Sequence, residues 1–399
     1  MAAIKITENL YSVGILNPNM RIFDVVMRTE YGTTYNSYLL RGEQKTALIE
    51  TCHKTYFEQY LKNIREVVDT EEIDYIILNH CEPDHSGALA ELLSLCPRAE
   101  ILVSRAGAIY LKNITNREDL KIRFVKDGES IDLGGRQLRF ISAPFLHWPD
   151  SMFTWMPQQK VLFTCDFLGA HFCEPTMLDS NIHYPEQYLG EVNYYYACIF
   201  GPFKPYVLAG LDKIKDLPVE MVCPSHGPCL VEGISRIQGL YREWSTPAAP
   251  SGKKVVGILH ASAYGCTTKL AQAAYDELKK NPDLDVRLMN VVFTPLSEAA
   301  ALANEADALL VGSCTINRDA PKVVWDVLAS VAAINTKQKP VGAFGSYGWS
   351  GEAVPMIKSR MEHLKFKFIG DGLRVCFMPT EEDFDAMRAY AKEVVSNLK

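Results

Sequence analysis

A chain of 399 residues exceeds the roughly 250 to 300 residues at which one hydrophobic core stops growing, so two folded domains are expected. With 48% hydrophobic and 22% charged residues, its composition is that of a globular protein and excludes a large disordered fraction. A net charge of -7 without any basic run excludes nucleic acid as the main partner, because phosphate binding needs clustered Lys and Arg.

The amino terminus, Met1-Ala-Ala-Ile-Lys-Ile-Thr-Glu8, has no basic segment followed by an apolar one, and no run approaches the roughly 18 apolar residues of a membrane span. A soluble, cytoplasmic chain with no membrane partner is expected. The 11 cysteines are odd in number and form no C-x-x-C pair, which suits free thiols in a reducing compartment. The missing pairs also argue against a fused rubredoxin module, whose iron sits among four cysteines.

In the first half, apolar segments recur irregularly at Ala47–Ile49, Tyr75–Leu78, Glu100–Val103, Leu138–Ile141, Val161–Thr164 and Met221–Cys223, as in a mixed α/β sandwich. The second of these runs into Asn79-His80-Cys81-Glu82-Pro83-Asp84-His85-Ser86, a strand, a tight turn and then a helix. Alternate side chains splay apart there, so His80, Glu82 and Asp84 can enter one cleft while His85 approaches from another side. Taken alone, Asp84 or Ser86 could simply cap the helix. Three more apolar strands, however, end in ligand-type residues: Phe140 leads to His147, Val161 to Asp166 and Met221 to His226. Ligands at strand ends are how α/β sheets build sites. Seven such groups exceed one tetrahedral zinc and divide between two metals with a shared carboxylate.

The stretch Trp244-Ser-Thr-Pro-Ala-Ala-Pro-Ser-Gly-Lys-Lys254 reads as a linker and places the domains at residues 1–248 and 249–399. Beyond it, strands are expected at Val255–His260, Val286–Val292, Ala308–Ser313, Pro340–Ser346 and Leu373–Met378. Helices are expected near Thr268–Lys280, Leu296–Glu305, Ala320–Ala333, Glu352–Leu364 and Glu381–Leu398. Five near-continuous apolar strands alternating with helices describe a doubly wound parallel sheet with flavodoxin-like order.

Three loops follow strands that should be neighbours. The first, Ser262-Ala263-Tyr264-Gly265-Cys266-Thr267-Thr268, brings hydroxyls and free N–H groups to a helix start, an anion site suited to the phosphate of FMN. The second holds Cys314, Thr315, Ile316 and Asn317. The third holds Ser346, Tyr347, Gly348, Trp349, Ser350 and Gly351, with glycines for close approach and aromatic surface for a planar ring. No G-x-G-x-x-G follows Val255, which argues against a dinucleotide.

H-x-E-x-D-H followed by separated His, Asp and His resembles the metallo-β-lactamase superfamily, most of whose hydrolases carry His at the position of Glu82. Glu82 together with Leu146-His147-Trp148-Pro149-Asp150-Ser151-Met152 is similar to the flavodiiron proteins, and the resemblance spans essentially the whole chain. A carboxylate in that slot adds hard oxygen character, which favours iron over redox-inert zinc. The resemblance implies an αββα metallo-β-lactamase-like sandwich followed by a five-stranded flavodoxin-like sheet. One iron would take His80, Glu82 and His147, the other Asp84, His85 and His226, with Asp166 as the bridge; in some relatives the residue at the place of His85 turns away from the metal.

The same resemblance implies electrons passing from a separate rubredoxin-like donor through FMN to the diiron site, and reduction of oxygen to water, of nitric oxide to nitrous oxide, or of both. It also implies a head-to-tail homodimer, or a dimer of dimers, that sets Trp349 against the partner's Glu82. Several residues depart from the family pattern. Asp24 stands where many relatives carry a pocket His, Cys266 where Ser or Asn is usual, Ala261 where Asp is frequent and Cys314 where Pro is common. His171 is a candidate to line the pocket behind the ligands, while His53, His183, His260 and His363 read as structural or solvated. A glyoxalase-like binuclear zinc hydrolase with an accessory flavodoxin domain is the alternative. A non-catalytic flavin carrier is a further one.

Overall fold

The computed structural model describes residues 2–247, 252–336 and 338–398. The chain separates into two compact units, Met1–Pro247 and Ala248–Lys399. Of the expected linker, residues 248–251 lie outside the described residues, and its beginning is not a linker at all. Trp244 and Ser245 close the helix Ile234–Ser245, where the Trp244 ring packs on Tyr196 at 4.9 Å.

In the first unit a seven-stranded sheet runs in the order Ile4–Thr7, Leu10–Ser12, Tyr38–Arg41, Thr46–Ile49, Ile73–Leu78, Glu100–Val103, Ile122–Phe124. A five-stranded sheet runs Ser130–Asp132, Gln137–Ser142, Met152–Met156, Val161–Cys165, Met221–Pro224. Alternation along each strand sends one set of side chains between the sheets. Leu40, Ile49 and Ile77 of the first meet Phe140, Met156 and Phe163 of the second in one buried layer. The opposite faces, with Leu48, Ile76 and Ile101 on one side and Phe153, Leu162 and Val222 on the other, are covered by helices. The result is the expected αββα sandwich.

The second unit is a parallel sheet in the order Leu284–Asn290, Lys254–Ala261, Ala308–Ser313, Pro340–Tyr347, with a fifth strand beside Pro340–Tyr347. That fifth strand comes in two pieces, Lys367–Phe368 and Leu373–Cys376, both parallel to Pro340–Tyr347. Gly370 and Gly372, at φ 62° and 82°, lie between them and break the extended backbone. Helices Cys266–Leu278 and Glu381–Ser396 cover one face, and Leu296–Glu305, Lys322–Ala329 and Ala353–His363 the other.

Most expected boundaries lie within two residues of those observed. The exception is the helix expected from Ala320, which is confined to Lys322–Ala329. Pro321 disfavours helical backbone at Ala320, and Ser330 N–H already closes the last turn onto Asp326 and Val327.

Candidate metal and flavin sites

The first site lies at the carboxyl ends of the strands of the sandwich. Ile73–Leu78 delivers His80 and Glu82, and the four-residue helix Pro83–Ser86 carries Asp84 and His85. His147 follows Gln137–Ser142, Asp166 follows Val161–Cys165 directly, and His226 follows Met221–Pro224. All seven candidates thus reach one place.

They fall into two groups. Glu82 Oε2 lies 3.2 Å from Nε2 of both His80 and His147. Asp84 Oδ2 lies 3.3 Å from His85 Nε2 and 3.0 Å from His226 Nε2. Asp166 stands between them: Oδ2 faces His80 and His147 at 3.9 and 3.8 Å, and Oδ1 faces His85 and His226 at 3.3 and 3.5 Å. One carboxylate therefore turns a different oxygen to each group.

The ligand-type atoms are aimed by groups behind them. His80 Nδ1 donates to Asp150 at 3.1 Å, and Asp150 also accepts the Cys81 N–H at 2.7 Å. His226 Nδ1 donates to the Thr34 carbonyl at 2.6 Å, and the Tyr195 hydroxyl donates to Asp166 Oδ1 at 3.0 Å. Each partner fixes which ring nitrogen or carboxylate oxygen points inward, as outer partners of metal ligands do. Asp84 Oδ1 and His85 Nε2 are buried without a hydrogen-bond partner. Such atoms demand a counterpart, and four imidazoles with three carboxylates suit two divalent cations.

The electrostatics agree. Against its burial, hydrogen bonds from His147 and His80 hold the Glu82 carboxyl down to about 2. Burial opposes protonation of His80 and His85 as well, yet Asp150 and Glu82 push the first well up, and Asp84 with Asp166 lift the second to about 10. The carboxylates therefore call for positive charge, which metal ions would supply in place of protons.

His171 packs behind this cluster, its ring 4.9 Å from those of His226 and Tyr195, with Nδ1 2.8 Å from Thr33 Oγ1. Asp24 sits in the turn between Ile22–Phe23 and Met27–Arg28 at φ 45°, and burial with the charges of Asp84 and Glu82 raises its carboxyl. His53 accepts the Thr55 N–H, His183 is exposed, and His363 donates to the Ser359 carbonyl. His260 is buried with neither ring nitrogen paired. Glu50, buried beside His85 and accepting the Asn79 N–H at 2.9 Å, carries no signal in the sequence, and neither do the partners Tyr195 and Thr34. Asp150 alone carried a signal, its place in the run after His147.

In the second unit the three loops emerge from neighbouring strands and are tied together. Thr267 Oγ1 lies 2.8 Å from Ser346 Oγ, Thr315 N–H donates to Ser346 O at 3.1 Å, and Cys314 N–H donates to Ala261 O at 3.1 Å. Gly265, at φ 83°, caps the helix Cys266–Leu278 without any side-chain bond, which leaves first-turn N–H groups open to an anion. The hydroxyl of Ser262 is buried and unpartnered, and Ala263 is exposed beside it. Tyr264 and Trp349 are 93% and 89% exposed, aromatic surface held out from the sheet edge and left uncovered by the described residues. Cys314 and Ser346 are buried, Thr315, Tyr347, Gly348, Ser350 and Gly351 half-buried, and Ile316 and Asn317 exposed. A Cβ at Gly345 would strike the Ser313 carbonyl oxygen, so the third loop leaves the sheet where the strands beneath it touch. An anion end with an aromatic flank fits FMN.

A family model described as ODP family beta lactamase matches residues 33–227, and one described as flavodoxin matches residues 258–390. The flavo-diiron protein FprA2 of Clostridium acetobutylicum is 45% identical, with 100% of both chains covered. A nitric oxide reductase of Moorella thermoacetica is 32% identical, with 99% of this chain and 98% of that one covered. Among solved structures, rubredoxin oxygen:oxidoreductase from Desulfovibrio gigas superposes with a TM-score of 0.72 at 29% identity, over 99% of this chain and 98% of the other.

Proposed function

The chain belongs to the flavodiiron proteins, and from that membership we propose a division of labour in which residues 1–248 hold two irons and residues 249–399 hold FMN. It is an oxidoreductase acting on oxygen, nitric oxide or both; the hydrolase alternative is not favoured. The observation that carries the residue assignment is the placement of Asp166, one oxygen toward each histidine–carboxylate group. His80, Glu82 and His147 would hold one iron, Asp84, His85 and His226 the other, and Asp166 would span both.

A diiron centre supplies two electrons and open positions for a diatomic gas, and FMN supplies electrons singly. Around it the protein's own residues position and exclude. Asp150 and the Thr34 carbonyl fix the inward tautomers of His80 and His226, and Tyr195 holds its hydroxyl proton on Asp166 Oδ1. Phe23, packed 4.2 Å from His171 and 5.2 Å from His226, keeps water from that flank.

The donor in this reading is a separate rubredoxin-like protein, the compartment is the cytoplasm, and a head-to-tail homodimer brings Trp349 to the partner's irons. None of the helices of the described residues is long and apolar enough to cross a membrane. The test is metal and flavin analysis of the full chain, then anaerobic reduction and reoxidation by each gas. Two irons and one FMN per chain, with rapid reoxidation, are expected. Two zinc ions and no iron would return the site to hydrolysis, and a monomer with full turnover would remove the dimer.

A further inference from the structure

In the second flavin loop, Ile316 and Asp319 face each other as an isolated antiparallel bridge with reciprocal backbone bonds of 2.9 and 3.0 Å. Only Asn317 and Arg318 lie between them, at φ 52° and 63°. This is a two-residue type I′ turn, whose central positions both need left-handed backbone. Asn suits the first position, but the second is the habitual place of glycine, because an L side chain there crowds its own carbonyl. Arg318 is thus in local conflict with the turn it completes, and the turn's own hydrogen bonds give no reason for a guanidinium.

The side chain shows where the reason lies. Arg318 Nε donates to Glu352 Oε1 at 2.9 Å. Glu352 follows Gly351 directly and is the cap of helix Ala353–His363, so it closes the third loop as Arg318 closes the second. The inner ends of the same two loops are joined by Thr315 N–H to Ser346 O at 3.1 Å and by Ala353 N–H to Thr315 Oγ1 at 3.4 Å. The second carboxylate oxygen of Glu352, Oε2, is buried without a hydrogen-bond partner, so Arg318 is the group that holds this carboxylate. The Arg318 side chain is 71% exposed, and an ion pair so wet adds little to global stability. Its effect is confined to the two loops it joins.

We propose that Arg318 and Glu352 form a clasp that ties the second and third loops together beside the flavin and slows FMN release, so that Arg318 is a positioning residue acting through Glu352. The inference rests on the assignment of these loops to FMN. It predicts opposite effects from one change. Arg318→Gly relieves the turn and raises the melting temperature of the FMN-free chain, yet weakens FMN binding by about two- to fivefold, the range an exposed ion pair supports.

The experiment uses the full chain, stripped of FMN and titrated with it, with flavin fluorescence giving the dissociation constant and release rate. Glu352→Gln should match Arg318→Gly, the double variant should lose no more than either alone, and the exchange Arg318→Glu with Glu352→Arg should recover most of the affinity. Raised salt should bring the wild type toward the variants. Wild-type affinity and release rate in Arg318→Gly, or strictly additive losses in the double variant, would overturn the clasp while leaving the flavin site standing. A wild-type chain that binds no FMN would overturn the flavin reading and the clasp with it.

Discussion

The metal cluster and the flavin loops are both built at the carboxyl ends of strands, yet by opposite means. His80, His85, Asp166 and His226 are at most 2% exposed, and His80, Asp166 and His226 are each aimed by a buried neighbour. Tyr264 and Trp349 are about nine-tenths exposed, and the flavin loops hold mainly to one another. Burial makes the first site rigid before any metal arrives and makes every polar atom in it matter. Exposure leaves the second site adjustable, with its precision residing in loop-to-loop bonds.

The contrast breaks most visibly at Asp166. Asp166→Asn removes the one carboxylate among the described residues that faces both groups, and activity should fall by more than about 100-fold, at or beyond the upper end for outer-sphere changes at metal sites. Iron content measured per chain should drop below two; a variant that keeps two irons and wild-type turnover would show that the groups do not depend on the shared carboxylate.

A moderate effect is expected from pH on the metal-free chain. Burial lifts the Glu50 carboxyl from 4.5 to about 8, and His85 is raised from 6.5 to about 10. Both bind protons more tightly when folded, so the stability each contributes is complete below its unfolded value and is lost as pH climbs through the folded one. The metal-free chain should therefore melt at a lower temperature at pH 9 than at pH 6. Glu50→Gln should shrink that difference; an unchanged difference would show that Glu50 does not titrate in this range.

The smallest effect belongs to the exposed site. Trp349→Ala should leave the melting temperature unaltered and weaken FMN by about two- to tenfold, the range of one aromatic contact. A large loss of stability would mean that the ring supports the fold rather than a ligand.

The same contrast governs how much could be read beforehand. The second unit's strands were legible because a parallel sheet buried on both faces writes continuous apolar runs such as Ala308–Ser313. The gathering of the seven candidate ligands was legible because few other roles explain His, Glu, Asp and His within six positions, repeated at three more strand ends. The small hairpins of the first unit were not. Ile22–Phe23 and Met27–Arg28 are two residues each and pair through a turn in which Asp24 suits positive φ but Val25, also at positive φ, is a β-branched residue that gives no turn signal. Nor was the Arg318–Glu352 pair, because 34 residues separate its members and only the strand order brings their loops together. Tyr195 was hidden for a similar reason, as one tyrosine in a run of three.

Gly345 sets a rule for anyone who would redesign this chain. Since a side chain there would collide with the Ser313 carbonyl, the root of the third loop is closed to variation, whereas Trp349 four residues later stands free. On the proposed flavin assignment, the second unit thus comes with its own map of editable positions: libraries drawn at Tyr264, Ile316 and Trp349 can vary the exposed loop surface while the scaffold below them stays constant.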